Sequence, residues 1–479
     1  MHFYRKAFQL NQEHQKQKSR AEIEAIPFTG GQHWVIEELS SSHPHYWNGI
    51  EFFPMQKKLD LASLEQIISC LLEHHEALRI QVVFQEGKWH QIITELDEDA
   101  LPLIWICLSD FADQEQKTLI EQISIEVQNE INTLKHLLLQ FIYFDLGIEK
   151  PGLLLRIINH FISDDYSNSV LSDDFRIAYQ DISQGKKPHL PDKTTSFREL
   201  AQRITSYINS PEVKKEIDEY WLTLPWAEVR PIPLDIPEGR IIDKKSLTYG
   251  YGTKASSRRV EVALNIQNTK TLLTRALDAN TQIMDLLLTA ISRAFRLWTG
   301  SPLFYILVQD HDRITMFEDI DLTRTVGYIA QARHILLDLG DSDSPVIALQ
   351  LVKEQLRRIP NRGLTLNWLL RRGDNLPVRD ELKCVPWADV HLNYRGRIIS
   401  TSNEPLPFEP DIGHILVSEP LSPRNHPLTC DAAIIQGELR LTWEYSKDVH
   451  KRDTIEKLAE NCMQILQILI EYCASIRKK

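Results

Sequence analysis

A short apolar run that ends in a histidine constrains the fold of this chain more than any other stretch. Residues 153–158 are typical of a buried strand, because the run is brief, apolar and contains β-branched side chains. Asn159 and His160 follow directly, so they lie where the predicted strand ends. A sheet can hold side chains at a strand end rigidly in a cleft. Since imidazole exchanges protons near neutral pH, His160 is a candidate for chemistry.

An aspartate and a helical pattern follow this histidine. Asp164 lies four residues after His160, and a helical pattern runs from Ser167 toward Tyr179. Asp164 is close enough to His160 in sequence to fold back and fix the loop through a hydrogen bond or an ion pair. Residue types alone favour a structural histidine beside a loop aspartate over a catalytic histidine.

Length and charge exclude several classes of protein. The chain has 479 residues, which is too many for one ordinary core and predicts two or three domains. A formal net charge of −12 argues against a nucleic-acid groove. The amino-terminal residues have no apolar signal-peptide core, and no apolar run approaches the length that spans a membrane. These features predict a cytoplasmic protein that binds neither nucleic acid nor membrane.

The cysteines and histidines give no metal pattern. The six cysteines are scattered without a C-x-x-C pair, so we interpret them as reduced thiols in a cytoplasm. His33, His43 and His45 come close together, but no cysteine or second carboxylate shares their spacing. We interpret these three as loop and surface residues, and we predict no metal and no cofactor bound by the chain itself.

The first 180 residues alternate helical and strand patterns. Residues 1–25 form a polar extension, and residues 26–34 predict a turn followed by an apolar-polar stretch. A helical face then runs from Leu64 to His75, with Ser63 as its predicted cap. Residues 78–84 and 89–93 predict a hairpin, and residues 114–134 predict a second helix. Two further strands at 137–144 and 152–158 lead to the candidate histidine.

The later part begins after a segment rich in proline and lysine. A helical pattern over residues 197–221 is broken at Pro211, and an amphipathic helix over 281–298 ends at Gly300. An apolar strand at 304–309 again delivers polar side chains to its end, beginning with Asp310. The last helix, at 454–472, has the clearest amphipathic pattern in the chain.

The chain resembles the condensation and epimerization domains of nonribosomal peptide synthetases over nearly its whole length. Their core motif, His-His-x-x-x-Asp-Gly, corresponds to residues 159–165. Several other stretches resemble the epimerization branch in order and spacing: residues 283–299, 321–328, 352–360, 391–396 and 441–446. No single stretch is decisive, but together they make the resemblance strong.

The resemblance implies an architecture and a substrate. It implies an α/β fold of two chloramphenicol-acetyltransferase-like lobes that form a V, with an active-site tunnel between them. We expect the first lobe at 26–180, a linker at 181–196 and the second lobe at 197–479. It also implies a thioester substrate on the phosphopantetheine arm of a peptidyl or acyl carrier protein or synthetase module, together with a small-molecule acceptor.

The first motif is altered at two positions. The second motif histidine, to which the family's chemistry is credited, matches His160, and the mainly structural aspartate matches Asp164. The first histidine is Asn159 here, and the glycine is Asp165. Residues 166–168, Tyr-Ser-Asn, replace the Val-Ser-Trp that follows the motif, so a bulky wall residue is missing.

The second acid/base position is also altered. Epimerization domains carry Glu-Gly-His-Gly-Arg-Glu, whose first glutamate is the second acid/base, and residues 309–314 match it. That glutamate is Gln309, while the motif arginine matches Arg313. Asn393 and Tyr394 match family residues near the thioester, where they could polarise its carbonyl or hold an enolate.

These residues leave three hypotheses open, in this order. Inverting an α-carbon needs two groups that titrate, and Gln309 cannot. Forming an amide or ester needs an acceptor beside the thioester and one hydrogen-bonding histidine, so a condensation-type acyltransferase comes first. An epimerase with a rebuilt second base is second, and a degenerate recruitment domain is third. A generic two-domain acyltransferase is the broader alternative. The initial Met1 and the basic tail fit a free-standing protein, although an excised domain would look the same.

Overall fold

The computed structural model describes residues 25–39, 48–131, 138–242, 249–278, 280–310, 313, 317–371, 376–397 and 424–475. The polar extension predicted at 1–25 lies outside these residues except for Ala25, and so do His43 and His45. The chain divides into two compact units. Unit 1 comprises residues 1–207, 312–330 and 400–419, and unit 2 comprises residues 208–311, 331–399 and 420–479.

The bounds of these units differ from those expected for the lobes. Unit 1 includes residues 197–207, which we expected in the second lobe. It also includes the segment 312–330 from the second half of the chain. The helix that begins at Asp165 continues to Ser183, into the predicted linker. The division into lobes at 26–180 and 197–479 stays a prediction.

Unit 1 combines two small sheets with several helices. Its described strands are β1 (Ala25–Ile26), β2 (Asn48–Pro54), β3 (Ile80–Gln85), β4 (Lys88–Ile93), β5 (Leu103–Cys107), β6 (Leu139–Asp145) and β7 (Leu153–Asn159). Its described helices are α1 (Gly30–Leu39), α2 (Leu61–His74), α3 (Asp113–Glu130), α4 (Asp165–Ser183) and α5 (Phe197–Ile208), whose last residue belongs to unit 2. The sheet orders are β2-β7-β6-β5 and β1-β4-β3.

The core of unit 1 explains why β7 is a continuous apolar run. All seven residues of β7 are buried, because this strand lies inside its sheet between β2 and β6. Apolar side chains from α3 pack with those of the sheet; they include Ile120, Val127, Ile142, Leu155 and Ile157. The sheet therefore holds the end of β7, and the residues after it, in a fixed position.

Unit 2 is built on a six-stranded mixed sheet. Its described strands are β8 (Arg240–Ile242), β9 (Tyr249–Tyr251), β10 (Ser257–Ala263), β11 (Leu303–Asp310), β12 (Gln331–Asp338), β13 (Val390–Arg397), β14 (Leu428–Ile435) and β15 (Glu438–Ser446). Its described helices are α6 (Pro211–Glu219), α7 (Ile266–Asp278), α8 (Ile283–Thr299), α9 (Pro345–Arg358), α10 (Leu364–Arg371), α11 (Leu376–Glu381) and α12 (Arg452–Ser475). The large sheet has the order β10-β15-β14-β13-β11-β12, and β8 pairs with β9.

The local predictions for Pro211 and Gly300 are confirmed by the structure. Pro211 is the first residue of α6, where its missing N–H leaves no helical bond unmade. Gly300 ends α8 with a φ of 71°, in the left-handed region that glycine adopts readily. Among the described residues, no helix has the length and apolar character needed to cross a membrane.

Two local predictions were wrong. The N-cap of α2 is Asp60, whose carboxylate accepts from the backbone N–H of Ser63 at 2.8 Å. Ser63 therefore donates to the capping residue and is not itself the cap. Residues 30–34 form the start of helix α1 where we predicted a turn. His33 is therefore a helical residue, and its ring lies edge-on to that of Phe28, with the ring centroids 5.4 Å apart.

Candidate functional site

His160 occupies a tight turn between β7 and α4. Its Nδ1 lies 3.1 Å from the carbonyl oxygen of Ser163. Because a carbonyl oxygen only accepts, Nδ1 carries the proton in this hydrogen bond, and the neutral form of the ring would have its lone pair on Nε2. The His160 side chain is partly exposed, whereas Phe161 after it is fully buried. The turn thus fixes the orientation of the His160 ring through its Nδ1.

The backbone of this turn is held by a buried glutamine that sequence analysis did not single out. The Nε2 of Gln32, on α1, donates to the carbonyl oxygen of Phe161 at 3.0 Å. The same Nε2 lies 2.9 Å from Oε1 of Gln91, and Oε1 of Gln32 accepts from the backbone N–H of Thr29 at 3.0 Å. Gln32 and Gln91 are fully buried. The amide pair therefore supports the residue next to His160.

Asp164 caps the amino terminus of α4 and anchors a distant segment. It is 2% exposed and accepts from the backbone N–H of Ser167 at 2.8 Å. Arg313 donates to both carboxylate oxygens, at 2.6 and 2.7 Å. The backbone N–H groups of Ile329 and Ala330 donate at 3.0 and 2.7 Å. A carboxylate so fully hydrogen-bonded is a structural centre of unit 1.

The pKa of Asp164 reflects this environment. Burial alone would raise it, but the charge of Arg313 and the hydrogen bonds it accepts hold the pKa at about 2. Asp164 therefore stays ionised at neutral pH and is unsuited to exchanging protons there.

The two altered motif positions have local structural roles. Asn159 donates from Nδ2 to Oδ1 of Asn48 at 2.9 Å, and its own Oδ1 accepts from the N–H of Phe161 at 2.9 Å. Asn48 in turn donates to the carbonyl oxygen of Gln128 at 3.2 Å. Asp165 is the first residue of α4, where a carboxylate interacts favourably with the helix dipole. Asn159 is thus a buried link between β2 and β7.

Gln309 and Asn393 are neighbours on the large sheet of unit 2. Gln309 on β11 is directly opposite Asn393 on β13, which runs parallel to it. Opposed residues on adjacent strands project to the same face, so these two side chains stand side by side. Tyr394 is next along β13 and projects to the other face, just before the irregularity that begins there. The structure therefore pairs Asn393 with Gln309 and separates Tyr394 from both.

Asn393 has a further partner that sequence analysis missed. Its Nδ2 donates to Oδ1 of Asp431 at 2.9 Å, and Asp431 is the directly opposed residue on β14. The pattern of β14 gave no signal for this contact, because it depends on the pairing of strands far apart in the chain. The side chain of Asp310 and all of Asp312 and Ile314 lie outside the described residues.

A second polar cluster ties α2 to α4 within unit 1. His75 Nε2 lies 2.8 Å from Oδ2 of Asp174, and Arg324 donates to the other oxygen of this carboxylate. His74 lies beside them, and among the described residues these three could offer ligands to a metal ion: His74, His75 and Asp174. The carboxylate of Asp174 is already hydrogen-bonded to His75 and Arg324, which favours a structural ion-pair network.

Comparison with protein families and curated proteins gives one consistent result. The condensation-domain family model matches residues 22–479. One of the proteins that make up the linear gramicidin synthase of Brevibacillus parabrevis is 31% identical over 456 residues, covering 94% of this chain and 6% of that protein. The chondramide synthase of Chondromyces crocatus is 30% identical over 458 residues, covering 94% of this chain and 11% of that protein. The chain thus spans a small part of these relatives.

Solved structures show the same fold. The epimerization domain from the third module of tyrocidine synthetase B has a TM-score of 0.74 at 25% identity, covering 94% of this chain and 97% of that one. A condensation domain of the enacyloxin polyketide synthase that mediates chain release has a TM-score of 0.69 at 14% identity, covering 95% and 84%. The predicted α/β fold of the chloramphenicol-acetyltransferase type and the predicted family are both confirmed. The chain belongs to the condensation-domain family of nonribosomal peptide synthetases.

Proposed function

We propose that the chain is a condensation-type acyltransferase. It takes an aminoacyl or peptidyl group held as a thioester on the phosphopantetheine arm of a carrier protein. It joins this group to an acceptor through an amide or ester bond. The family match over residues 22–479 and the likeness to peptide synthases support this substrate class. The chain supplies side chains and binds no cofactor of its own in this scheme.

His160 is the key residue of the proposal. With Nδ1 donating to Ser163, Nε2 is the atom that accepts a hydrogen bond or a proton from the acceptor nucleophile. Holding that nucleophile beside the thioester lowers the barrier by up to ~7–11 kcal/mol in favourable cases. One histidine is therefore sufficient for bond formation.

The observation that favours bond formation over epimerization is the amide at Gln309. Removing a proton from one face of an α-carbon and returning it to the other requires two titrating groups. The side chain of Gln309 keeps the shape and hydrogen-bonding ability of glutamate, but it cannot exchange a proton near neutral pH. Asn393 lies beside it. As in the family, Asn393 and Tyr394 are proposed to polarise the thioester carbonyl or to hold an enolate.

Epimerization is the second candidate, and a specific observation favours it. The tyrocidine synthetase domain with a TM-score of 0.74 is an epimerization domain. An epimerase would need a second titrating residue in place of Gln309. A non-catalytic recruitment domain is the third candidate, because the buried hydrogen bonds of Asp164 give this residue a structural role without any reaction.

One experiment separates the three candidates. The protein is incubated in deuterated water with carrier proteins loaded with a panel of aminoacyl thioesters, together with nucleophilic acceptors, and the products are analysed by mass spectrometry. A new covalent product is expected. Deuterium at the α-carbon without such a product would establish epimerization instead. If neither a product nor deuterium is found, the result would support the recruitment domain.

The controls identify the carrier and the residue. Omission of the phosphopantetheine arm should abolish product, because the acyl group then has no thioester. The variant His160→Ala should lose product while binding the carrier as the natural protein does. Product formation by His160→Ala at the natural rate would contradict the role assigned to His160.

A further inference from the structure

Unit 2 contains a cavity that takes no part in the proposed reaction. Its volume is about 410 Å³, which is in the range of small-molecule binding sites. The cavity is lined mainly by four parts of unit 2: the segment 229–233 after α6, the end of α8, the start of β11 and the segment 386–389 before β13. A cavity of this size can hold a ligand with a ring or a short alkyl chain.

The cavity is separate from the neighbouring pair Gln309 and Asn393. Tyr305 lines the cavity and lies on β11, four residues before Gln309. A strand rises about 3.3 Å per residue, so about 13 Å of β11 separates the two positions. The segment 386–389 likewise precedes β13, whereas Asn393 lies in the middle of that strand. A ligand in the cavity would therefore not occupy the place of a thioester or an acceptor beside this pair.

The walls of the cavity are formed largely by aromatic rings. Phe295 on α8 and Phe304 on β11 are buried, and their ring centroids are 4.7 Å apart. Trp387 is 38% exposed, and its Nε1 donates to the carbonyl oxygen of Asn425 at 2.9 Å, so its indole ring is held in place. Water in contact with such rings is released when an apolar ligand covers them, and this release favours binding. The walls therefore select a ligand with an apolar body.

The carboxylate on the cavity wall already has partners within the chain. Asp389 accepts from the N–H of Ile232 at 2.8 Å and from the hydroxyl of Tyr251 at 3.2 Å. Burial raises its pKa, while these hydrogen bonds and the charge of Arg240 act in the opposite direction. Arg240 also lies over the ring of Tyr251, with 5.9 Å between its Cζ and the ring centroid. Asp389 and Arg240 thus compensate each other and create no demand for an ion from outside the chain.

Arg230 is the other charged residue of the cavity wall. It is exposed, so its side chain stands at the mouth of the cavity. Among the residues that the structure describes, no hydrogen bond, ion pair or ring contact to Arg230 is present. A guanidinium offers a planar fork of N–H donors that matches the two oxygens of a carboxylate. The mouth of this apolar cavity therefore carries one arginine that is available to an anion.

We propose that this cavity binds a small apolar carboxylic acid in its ionised form. The apolar body lies against the rings of Phe295, Phe304 and Trp387, and the carboxylate accepts hydrogen bonds from Arg230. The inference goes beyond the proposed function, because the site is remote from Gln309 and binding needs neither a carrier nor an acceptor. A carboxylate should bind more tightly than an alcohol of the same frame. An amine should bind most weakly, since Arg230 repels its positive charge.

The test compares probes that share one frame and differ in one group. Phenylpropanoate, phenylpropanol and phenylpropylamine are titrated into the natural protein at pH 7, and the heat of binding is measured. A hydrogen bond to a charged group contributes more than one between neutral groups, so the acid should bind about 10- to 100-fold more tightly than the alcohol. Acetate carries the charge without the apolar body and should show no binding at the same concentrations.

Arg230→Gln removes the charge at the cavity mouth and keeps a polar side chain. Its affinity for phenylpropanoate should fall about 10- to 100-fold, to that of phenylpropanol, while the affinity for phenylpropanol should stay within about twofold. Arg258→Gln is the matched control, because Arg258 is an exposed arginine of the same unit that does not line the cavity. This control should leave both affinities unchanged. Arg230→Lys keeps the charge and should retain part of the preference for the acid.

Trp387→Ala tests the apolar part of the cavity. It removes wall surface but no charge, so the binding of the acid and of the alcohol should weaken by the same factor. Urea unfolding of each variant shows whether the fold is kept. Arg230 is exposed and has no hydrogen bond or ion pair among the described residues. Arg230→Gln should therefore unfold at the same urea concentration as the natural protein, and it tests the site even if Trp387→Ala does not fold.

Three outcomes would overturn the proposal. The first is that the natural protein binds the acid no more tightly than the alcohol, or binds neither. The second is an unchanged preference for the acid in Arg230→Gln. The third is tighter binding of N-acetylphenylalanine than of phenylpropanoate, which would assign the cavity to the carboxyl end of a peptide, a ligand with the same two groups. These measurements need no donor or acceptor, so a failure of the proposed reaction would leave this test intact.

Discussion

Asp164 and His160 lie four positions apart, yet their surroundings are opposite. Asp164 is 2% exposed and accepts five hydrogen bonds from described residues, two of them from Arg313. His160 is partly exposed, and the carbonyl of Ser163 fixes one of its ring nitrogens. Replacing each residue should therefore affect a different property of the protein.

His160→Ala should lose activity and keep the fold. The lost hydrogen bond to Ser163 is worth only about 0.5–1.5 kcal/mol of unfolding free energy. Loss of the proton acceptor should reduce bond formation about 10²- to 10⁴-fold. Urea unfolding and the mass-spectrometric product assay measure the two quantities on the same samples.

Asp164→Ala should instead lower stability. Removing one partner of a buried ion pair costs about 3–5 kcal/mol, since Arg313 is left as an unpaired buried charge. The folded pKa of about 2 lies below the usual value of 3.8, so this stabilisation is present above about pH 4. It is lost as the pH falls from about 4 toward 2, and the shift accounts for roughly 2 kcal/mol.

Urea unfolding at pH 7 and at pH 3 tests this prediction. The stability gap between the natural protein and Asp164→Ala should be smaller at the lower pH. Asp173→Ala is the control, because Asp173 is an exposed carboxylate on the same helix whose partner is Arg176 at 3.0 Å. An Asp164→Ala protein that is inactive but as stable as the natural one would show that the structural role is wrong.

Gln309→Glu tests the second acid/base position. We expect no α-proton exchange on a carrier-bound aminoacyl group by the natural sequence, and a trace of exchange in the variant, since a titrating group is restored there. The added charge should not help bond formation and could hinder it through partial desolvation. Deuterium incorporation followed by mass spectrometry decides this, and rapid exchange by the natural protein would reverse our ranking.

At the scale of elements, the first turn of α1 supports the His160 turn through Gln32. Gln32→Met keeps the side-chain volume but removes the donor to the carbonyl of Phe161. We expect a loss of about 1–3 kcal/mol in unfolding free energy. We also expect a lower turnover rate for bond formation with an altered pH profile, because the histidine is no longer held in place.

Gln116 provides a matched control for Gln32. It is also buried, and its Nε2 donates to two carbonyl oxygens, those of Leu108 at 2.9 Å and Leu146 at 3.2 Å. Gln116→Met should cost similar stability and leave the turnover rate unchanged. Equal effects of both variants on turnover would mean that Gln32 acts only through stability.

Elements with a strong local period were predictable from the sequence. Strand β7 and helices α2, α8 and α12 have apolar patterns that match their buried faces. Helix α1 was missed, because Gly30 and Gly31 are typical of a turn. In the structure a Cβ at Gly31 would lie 2.7 Å from the ring of Tyr328, so glycine permits this contact with a residue about 300 positions away.

The candidate site was only partly predictable for a related reason. His160 and Asp164 lie close in sequence, and a resemblance to a family motif marked them both. The row of Gln309, Asn393 and Asp431 depends instead on the parallel pairing of β11, β13 and β14. Local patterns carry no information on which distant strands pair or in which register, so Asp431 could not be recognised.

At the scale of the whole molecule, neither unit is a continuous segment. Residues 312–330 leave the sheet of unit 2 after β11, belong to unit 1, and return at β12. A fragment of residues 1–207 would contain Asp164 without Arg313. We expect this fragment to unfold without a cooperative transition in urea, whereas the full chain shows one. Cooperative unfolding of the fragment would mean that Arg313 is dispensable for unit 1.

This interleaving restricts how such a chain can exchange parts with its relatives. In a chimaera with a crossover after residue 207, Asp164 would come from one parent. The groups that donate to it, which are Arg313 and the N–H groups of Ile329 and Ala330, would come from the other parent. A chimaera that preserves the ion pair must transfer two separate stretches of gene together. A single breakpoint between residues 164 and 313 would separate the two partners of this ion pair, so we expect chimaeras that fold to take both residues from the same parent.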